Sequence, residues 1–152
     1  MSPQRLSRFL EGHETIGIDT SLFIYQVEAH PKYKELTHSV FTWVEGPTGR
    51  AVTSAITLLE VLVQPYRSSD RKRVNLFYSL LSTYPKLAWV EVSLEIADRA
   101  AHLRAEYNLR TPDALQAATA IACRATGFIS NDAALRRVTG LDVVILDELL
   151  QQ

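Results

Sequence analysis

Short apolar runs alternate along this chain with longer stretches of helical periodicity, and that alternation constrains the fold more than any other feature. Thr15–Ile18, Ala51–Thr53, Leu87–Val92, Phe128–Ser130 and Val143–Leu146 read as strands, being too short for helices and rich in β-branched or aromatic residues. Ser21–Glu28, Lys32–Glu45, Ser69–Leu81 and Ser93–Tyr107 read as helices. Another starts with Ser54 as its cap, runs through Val63 and ends near Pro65. Within Ser69–Leu81, Val74, Phe77, Leu80 and Leu81 fall on one stripe. Thr111-Pro112 opens a further helix, with a hydroxyl at N-cap and proline at N1, that runs Ala-rich to Thr126 and stops at Gly127. Ala133 to Arg137 forms a helical turn. Strands that alternate with helices pair in parallel through right-handed crossovers, so the expected fold is α/β: a three-layer α/β/α sandwich with a short parallel central sheet.

Nothing divides this pattern. The six glycines and six prolines are scattered as punctuation, with no repeat or low-complexity linker, and we expect a single domain over residues 1–152. A chain of this length buries enough surface to need no metal or disulfide staple. Cys123 is the only cysteine, which excludes an intramolecular disulfide and any cysteine-built zinc or iron–sulfur site. Ala51 to Val63 and Ala114 to Cys123 are too short to span a bilayer, and no apolar signal segment follows the N-terminal charges, so a cytoplasmic protein with no membrane association is expected. A net charge of −1 argues against coating nucleic acid through the bulk field, while leaving room for a local basic patch.

In open parallel sheets the working groups gather beyond the carboxyl ends of the strands. Asp19, Glu91 and Asp132 each follow an apolar run there, although capping of the next helix explains any one of them alone. Glu60 interrupts an otherwise apolar helix, so its carboxylate has to reach the surface, find a cation or take up a proton. Asp113 sits in the first turn of its helix, where the dipole already favours an acid. If Asp19, Glu60, Asp113 and Asp132 share one edge of the sheet, their mutual repulsion requires cations. An all-oxygen donor set favours Mg²⁺ or Mn²⁺ over Zn²⁺.

These residues carry a resemblance. Ile18-Asp19-Thr20, Glu60 within Thr57-Leu-Leu-Glu-Val61, Thr111-Pro-Asp-Ala-Leu-Gln-Ala-Ala-Thr-Ala120 and Ser130-Asn-Asp-Ala-Ala-Leu135 resemble, in order, the four acidic motifs of PIN-domain nucleases. The similarity runs over almost the whole chain, and Asp-Ala-Leu-x-Ala-Ala-x-Ala is its most specific piece. Size and single-domain form resemble the VapC-type toxins of toxin–antitoxin pairs. The resemblance implies catalytic, metal-ligating roles for Asp19, Glu60, Asp113 and Asp132, with supporting hydroxyls at Thr20 and Ser130. Glu91 matches no family acid. Ser21 stands where many members have Asn, and Ala133 and Ala134 where many offer a further carboxylate.

The implied activity is divalent-metal-dependent hydrolysis of RNA phosphodiesters by an endoribonuclease held off by an antitoxin protein, and a homodimer is the implied assembly. The alternative is a PIN-like RNA-binding or scaffolding module that has lost turnover. A third reading, a metal-dependent phosphatase of small substrates, keeps the same cation logic but lacks a phosphate-cradling Gly-rich loop. Arg110, nearest in sequence to an implied ligand, is the first choice for a substrate phosphate contact. Arg67, Arg71, Lys72, Arg73, Arg136 and Arg137 are further basic candidates, although a solvated charged face is the commoner reason for such a cluster. Tyr25 and Tyr66 are candidates for base stacking or for core and interface packing. His13, His30, His38 and His102 share no ligand spacing, and Ser54, Ser130 and Cys123 have no covalent-nucleophile context.

Overall fold

A computed structural model describes residues 2–150. The elements in chain order are α1 (Ser2–Glu11), β1 (Thr15–Ile18), α2 (Thr20–Glu28), α3 (Lys34–Glu45), β2 (Arg50–Ser54), α4 (Ile56–Arg67) and α5 (Arg71–Thr83). They continue with β3 (Leu87–Val90), α6 (Leu94–Tyr107), α7 (Thr111–Ala122), β4 (Gly127–Ser130), a 3₁₀ turn (Ala133–Arg137), β5 (Asp142–Ile145) and α8 (Leu146–Leu150). Five parallel strands pair in the order β3-β2-β1-β4-β5. This is the α/β sandwich expected from the alternation. Among the described residues no helix is long and apolar enough to cross a membrane.

The sheet is buried on both faces, as parallel sheets are, and strand alternation sorts its side chains into two cores. Ile16, Ile18, Ala51, Leu87 and Ile129 face one core with Leu6, Phe9, Leu22, Phe23, Phe41, Val61 and Phe77 from α1 to α5. Val52, Phe128, Val143 and Ile145 face the other, filled by α6 and the small residues Ala114, Ala117, Ala118 and Ala120 of α7. Gly17 lies beneath α7. A Cβ there would come within 2.9 Å of the Ala120 Cβ and closer still to the Phe128 ring, so the missing side chain lets the helix sit against the sheet.

Several boundaries differ from the sequence reading. The helix α1 was not expected, although Leu6, Phe9 and Leu10 give it a buried i, i+3, i+4 stripe. Its C-terminal connection is held by His13, whose ring bonds the Thr126 hydroxyl at 2.7 Å and Asp142 at 2.9 Å. The short α8 was likewise missed. Helix α4 continues through Pro65 to Arg67, because Pro65 is buried and its packing outweighs the one hydrogen bond a proline removes. Helix α7 ends at Ala122, four residues before the expected stop at Thr126, and Gly127 opens β4 instead, paired with Ile16. A Cβ on Gly127 would meet the Phe9 ring at 2.7 Å, so this glycine serves close packing and not helix termination.

The packing at Gly17 yields a test. Gly17→Ala should lower unfolding stability in urea by about 1–3 kcal/mol, the usual cost of overpacking. A neutral or stabilising result would contradict the close approach of α7.

Candidate active site

The chain moves from β1 to β2 to β3 in one direction along the sheet, then returns to place β4 on the other side of β1. Connections therefore diverge between β1 and β4, opening a crevice beyond their carboxyl ends. Asp19 follows β1 directly and Asp132 lies two residues past β4. Helices α4 and α7 bring Glu60 and Asp113 to the same place. All four line one cleft of about 300 Å³, together with Thr20, Ser21, Ile24, Tyr25, Arg110, Pro112 and Asn131. Glu91 ends up exposed past edge strand β3, outside the cleft. A larger groove of about 600 Å³ beside Pro65 and Tyr66 has only Asp70 and Arg71 as charged lining.

Each acid is tied to a neighbour. Asp19 caps α2 and accepts from the Thr20 N–H at 2.8 Å and from the Ser130 hydroxyl at 2.5 Å. The fully buried Ser130 oxygen also accepts from the Asp132 N–H at 2.9 Å, so one hydroxyl registers both strand ends. Thr20 donates its single hydroxyl proton to Glu60 at 2.7 Å. Asp132 accepts from the Ala134 N–H at 2.9 Å, capping the 3₁₀ turn. Arg110 spans the mouth, donating to Asp132 at 3.0 Å and to Asp113 at 3.4 Å.

Sequence reasoning missed the layer below. The buried Gln116 accepts from the Ser54 N–H at 3.2 Å and donates to Thr57 at 2.7 Å. Thr53 donates to the Ile18 carbonyl at 2.8 Å, which leaves Thr57 as donor in the 2.7 Å contact between the two threonines. Gln116, Thr57 and Thr53 thus connect α7, α4, β2 and the end of β1. The signal was present as polar residues inside apolar stretches, but partners so distant in sequence are visible only in the fold. Asn131 was missed too; it donates to the Tyr25 hydroxyl at 3.2 Å and accepts from the Asp147 N–H at 2.9 Å.

The electrostatics follow from this crowding. Burial raises the Asp19 carboxyl above its usual value, helped by the charges of Glu60 and Asp132 and opposed by the Ser130 and Thr20 hydrogen bonds. Burial, then the charges of Asp132 and Asp19, push Asp113 up from 3.8 to about 6 despite the pull of Arg110. Carboxyls displaced in this direction are ones a cation would relieve. Ser21 Oγ is buried on the same wall with no hydrogen-bond partner among the described residues.

The donor set is carboxylate and hydroxyl oxygen, which fits a hard divalent ion. Among the described residues, however, no three His, Cys, Asp or Glu side chains form a ready-made metal cage. Among the described residues no histidine lines the cleft. Of the other basic candidates, Arg73 pairs with Glu28. Arg136 grips Glu148 at 2.7 and 2.9 Å, and Arg137 donates to the carbonyls of Tyr107 and Asn108. Tyr25 lines the cleft, stacked on Tyr33, whereas Tyr66 is exposed away from it.

Asp113 binds its proton more tightly in the folded chain than in the unfolded one. Its ionisation therefore opposes folding by an amount that is absent below 3.8, grows as pH rises and is complete above about 6. In EDTA at pH 7.5, Asp113→Asn should raise urea stability by about 1–3 kcal/mol, and the gain should shrink toward pH 4.5. Equal gains at the two pH values would contradict the charge repulsion.

Comparison with solved structures places the architecture. A toxin–antitoxin complex from Klebsiella pneumoniae aligns at a TM-score of 0.60 and 24% identity, covering 83% of this chain and 94% of its own. VapBC2 from Rickettsia felis, bound to a promoter DNA fragment, aligns at 0.65 and 19% identity, covering 86% and 98%. VapC20 of Mycobacterium tuberculosis, described as a sarcin–ricin-loop-cleaving toxin, aligns at 0.64 and 17%, covering 80% and 92%. At these identities the likeness is one of fold. No curated protein matches the chain significantly. The family model for the PIN domain matches residues 16–141, taking in all four acids of the cleft, and this chain belongs to that family.

Proposed function

We propose that this protein is a divalent-metal-dependent endoribonuclease that hydrolyses RNA phosphodiester bonds, and that it is the toxin of a toxin–antitoxin pair. The observation that carries the reading is the convergence of Asp19, Glu60, Asp113 and Asp132, from four separate segments, on one cleft at the switch point of a parallel sheet. PIN domains are typically metal-dependent nucleases, and the structural neighbours include toxin–antitoxin complexes. An antitoxin is therefore the partner we assign, alongside RNA as substrate and a second copy of this chain.

Asp19, Glu60, Asp113 and Asp132 are the residues that would hold Mg²⁺ or Mn²⁺. When bound, such an ion supplies positive charge and Lewis acidity at a scissile phosphate. The chain's own work is positioning. Ser130 and the Thr20 N–H fix both oxygens of Asp19, and the Thr20 hydroxyl orients Glu60. Gln116, Thr53 and Thr57 hold the elements beneath, so the acids are set before substrate arrives. Arg110, mostly exposed at the mouth, is the group within reach of a phosphate oxygen. Among the described residues the cleft has no Cys or His lining it that would make a covalent nucleophile. Ala133 and Ala134, without a further carboxylate after Asp132, favour the second reading of an RNA-binding module without turnover.

The test is cleavage of structured RNAs, including ribosomal fragments, by the purified protein with Mn²⁺ or Mg²⁺ and with EDTA. Chelation should abolish cleavage. Asp19→Asn should reduce it by about 100-fold or more, and Thr20→Val, which removes only an orienting hydroxyl, by roughly 10–100-fold. Cleavage that persists in EDTA or in Asp19→Asn would overturn the nuclease reading. RNA affinity with no product under any divalent ion would establish the second.

A further inference from the structure

Arg110 occupies a position that local helix physics does not explain. It is the N-cap of α7, where Ser, Thr, Asp or Asn would accept from a first-turn N–H. Arginine offers no acceptor, and the structure records no side-chain cap there. Its charge also meets the positive end of the helix dipole. Thr111, expected as the cap, is instead the first helical residue, its hydroxyl accepting from Arg104 at 3.0 Å. Asp113, at the third helical position, is placed to close a capping box with the chain behind it, yet its carboxylate accepts from the Arg110 guanidinium. A helix start that gives up its own cap points to a role outside helix stability.

The guanidinium lies between two carboxylates from different elements, with Nη2 on Asp132 Oδ2 at 3.0 Å and Nε on Asp113 Oδ2 at 3.4 Å. These are two of the four oxygen-bearing groups that would hold a divalent ion. Its side chain is nevertheless 75% exposed, and among the described residues only the two acids anchor it. A contact this exposed is weak and screened by salt. It is strong enough to offset part of the repulsion in the cleft and weak enough to be displaced.

We propose that Arg110 is an internal counter-cation: its guanidinium competes with the divalent ion for Asp113 and Asp132, sets the ion affinity of the cleft, and is released toward solvent when the ion binds. The inference rests on reading the cleft as a divalent-ion site. Loading and substrate contact are thereby linked, because the arginine freed from the carboxylates is then available to a phosphate at the mouth. One side chain thus serves as a placeholder in one state and as a phosphate ligand in the other.

Calorimetric titration of Mn²⁺ into the intact protein, without RNA, tests this independently of catalysis. Arg110→Gln should bind Mn²⁺ about three- to tenfold more tightly than the parent, a gap that narrows at high salt. Arg50→Gln removes the same charge at the amino end of β2, away from the carboxyl ends that bear the cleft, and should leave affinity unchanged. In the parent, Mg²⁺ titration should move the Arg110 Nε–Hε resonance as the guanidinium leaves the acids. Equal or weaker affinity in Arg110→Gln, an equal gain in Arg50→Gln, or an unmoved Arg110 resonance at saturating Mg²⁺ would overturn the proposal while leaving the ion site intact. Failure of both parent and Arg110→Gln to bind would overturn the proposal and the ion-site reading together.

Discussion

Repulsion among Asp19, Glu60, Asp113 and Asp132 is the constraint around which the carboxyl edge of this sheet is built. Bringing like charges into a partly buried cleft opposes folding; the carboxyls of Asp19 and Asp113 are raised first by burial and then by the neighbouring acids. The surrounding structure answers it in three ways. Backbone N–H groups at Thr20 and Ala134 and the hydroxyls of Ser130 and Thr20 donate to the carboxylates, and Arg110 brings a positive charge between two of them. Crowded, partly buried carboxylates of this kind cluster at functional sites in otherwise well-packed domains.

The topology makes the convergence possible. Because β4 returns beside β1 after the chain has moved outward through β2 and β3, the loops after β1 and β4 face each other across the switch point. Close packing of α7 over Gly17, mediated by small alanines, then carries Asp113 and Gln116 over the same edge. A bulkier α7 face would hold the helix away from the sheet. The Asp-Ala-Leu-Gln-Ala-Ala stretch therefore does two jobs: its polar residues serve the cleft and its alanines set the distance.

Beneath the acids, Gln116, Thr57 and Thr53 form a chain of hydrogen bonds in which every proton has one destination. Such a network is costly if half satisfied and rigid if complete. Here it fixes α4 against α7 and β2, and Thr20, whose hydroxyl oxygen accepts from Gln116 at 3.5 Å, carries that rigidity to Glu60. Glu60, conspicuous in the sequence as an acid within an apolar helix, is half-buried and oriented by a hydroxyl, neither wholly solvated nor paired with a cation among the described residues.

The strands and most helices are legible as local signals, a short β-rich run or a 3.6-residue stripe; Asp19 and Asp132 stand out as carboxylates after strands and Glu60 as an acid in an apolar helix, but only the ordered motifs separate these and Asp113 from Glu91. Helix α1 carries a readable stripe in Leu6, Phe9 and Leu10, but Arg5, Arg8 and Glu11 interleave it and its burial depends on packing against distant α3 and α8. The end of α7 was misplaced because Gly127 looks like a helix stop, whereas Phe9 and His13 on another segment demand a glycine at that point. Local order along the chain thus determined which elements form and which residues bear charge, since propensity and periodicity act over a few neighbours. Tertiary structure alone decided that Arg110 bridges Asp113 and Asp132, that Ser130 serves Asp19, and that Gln116 reaches Thr57, because each of those contacts depends on how crossovers bring distant segments to one edge.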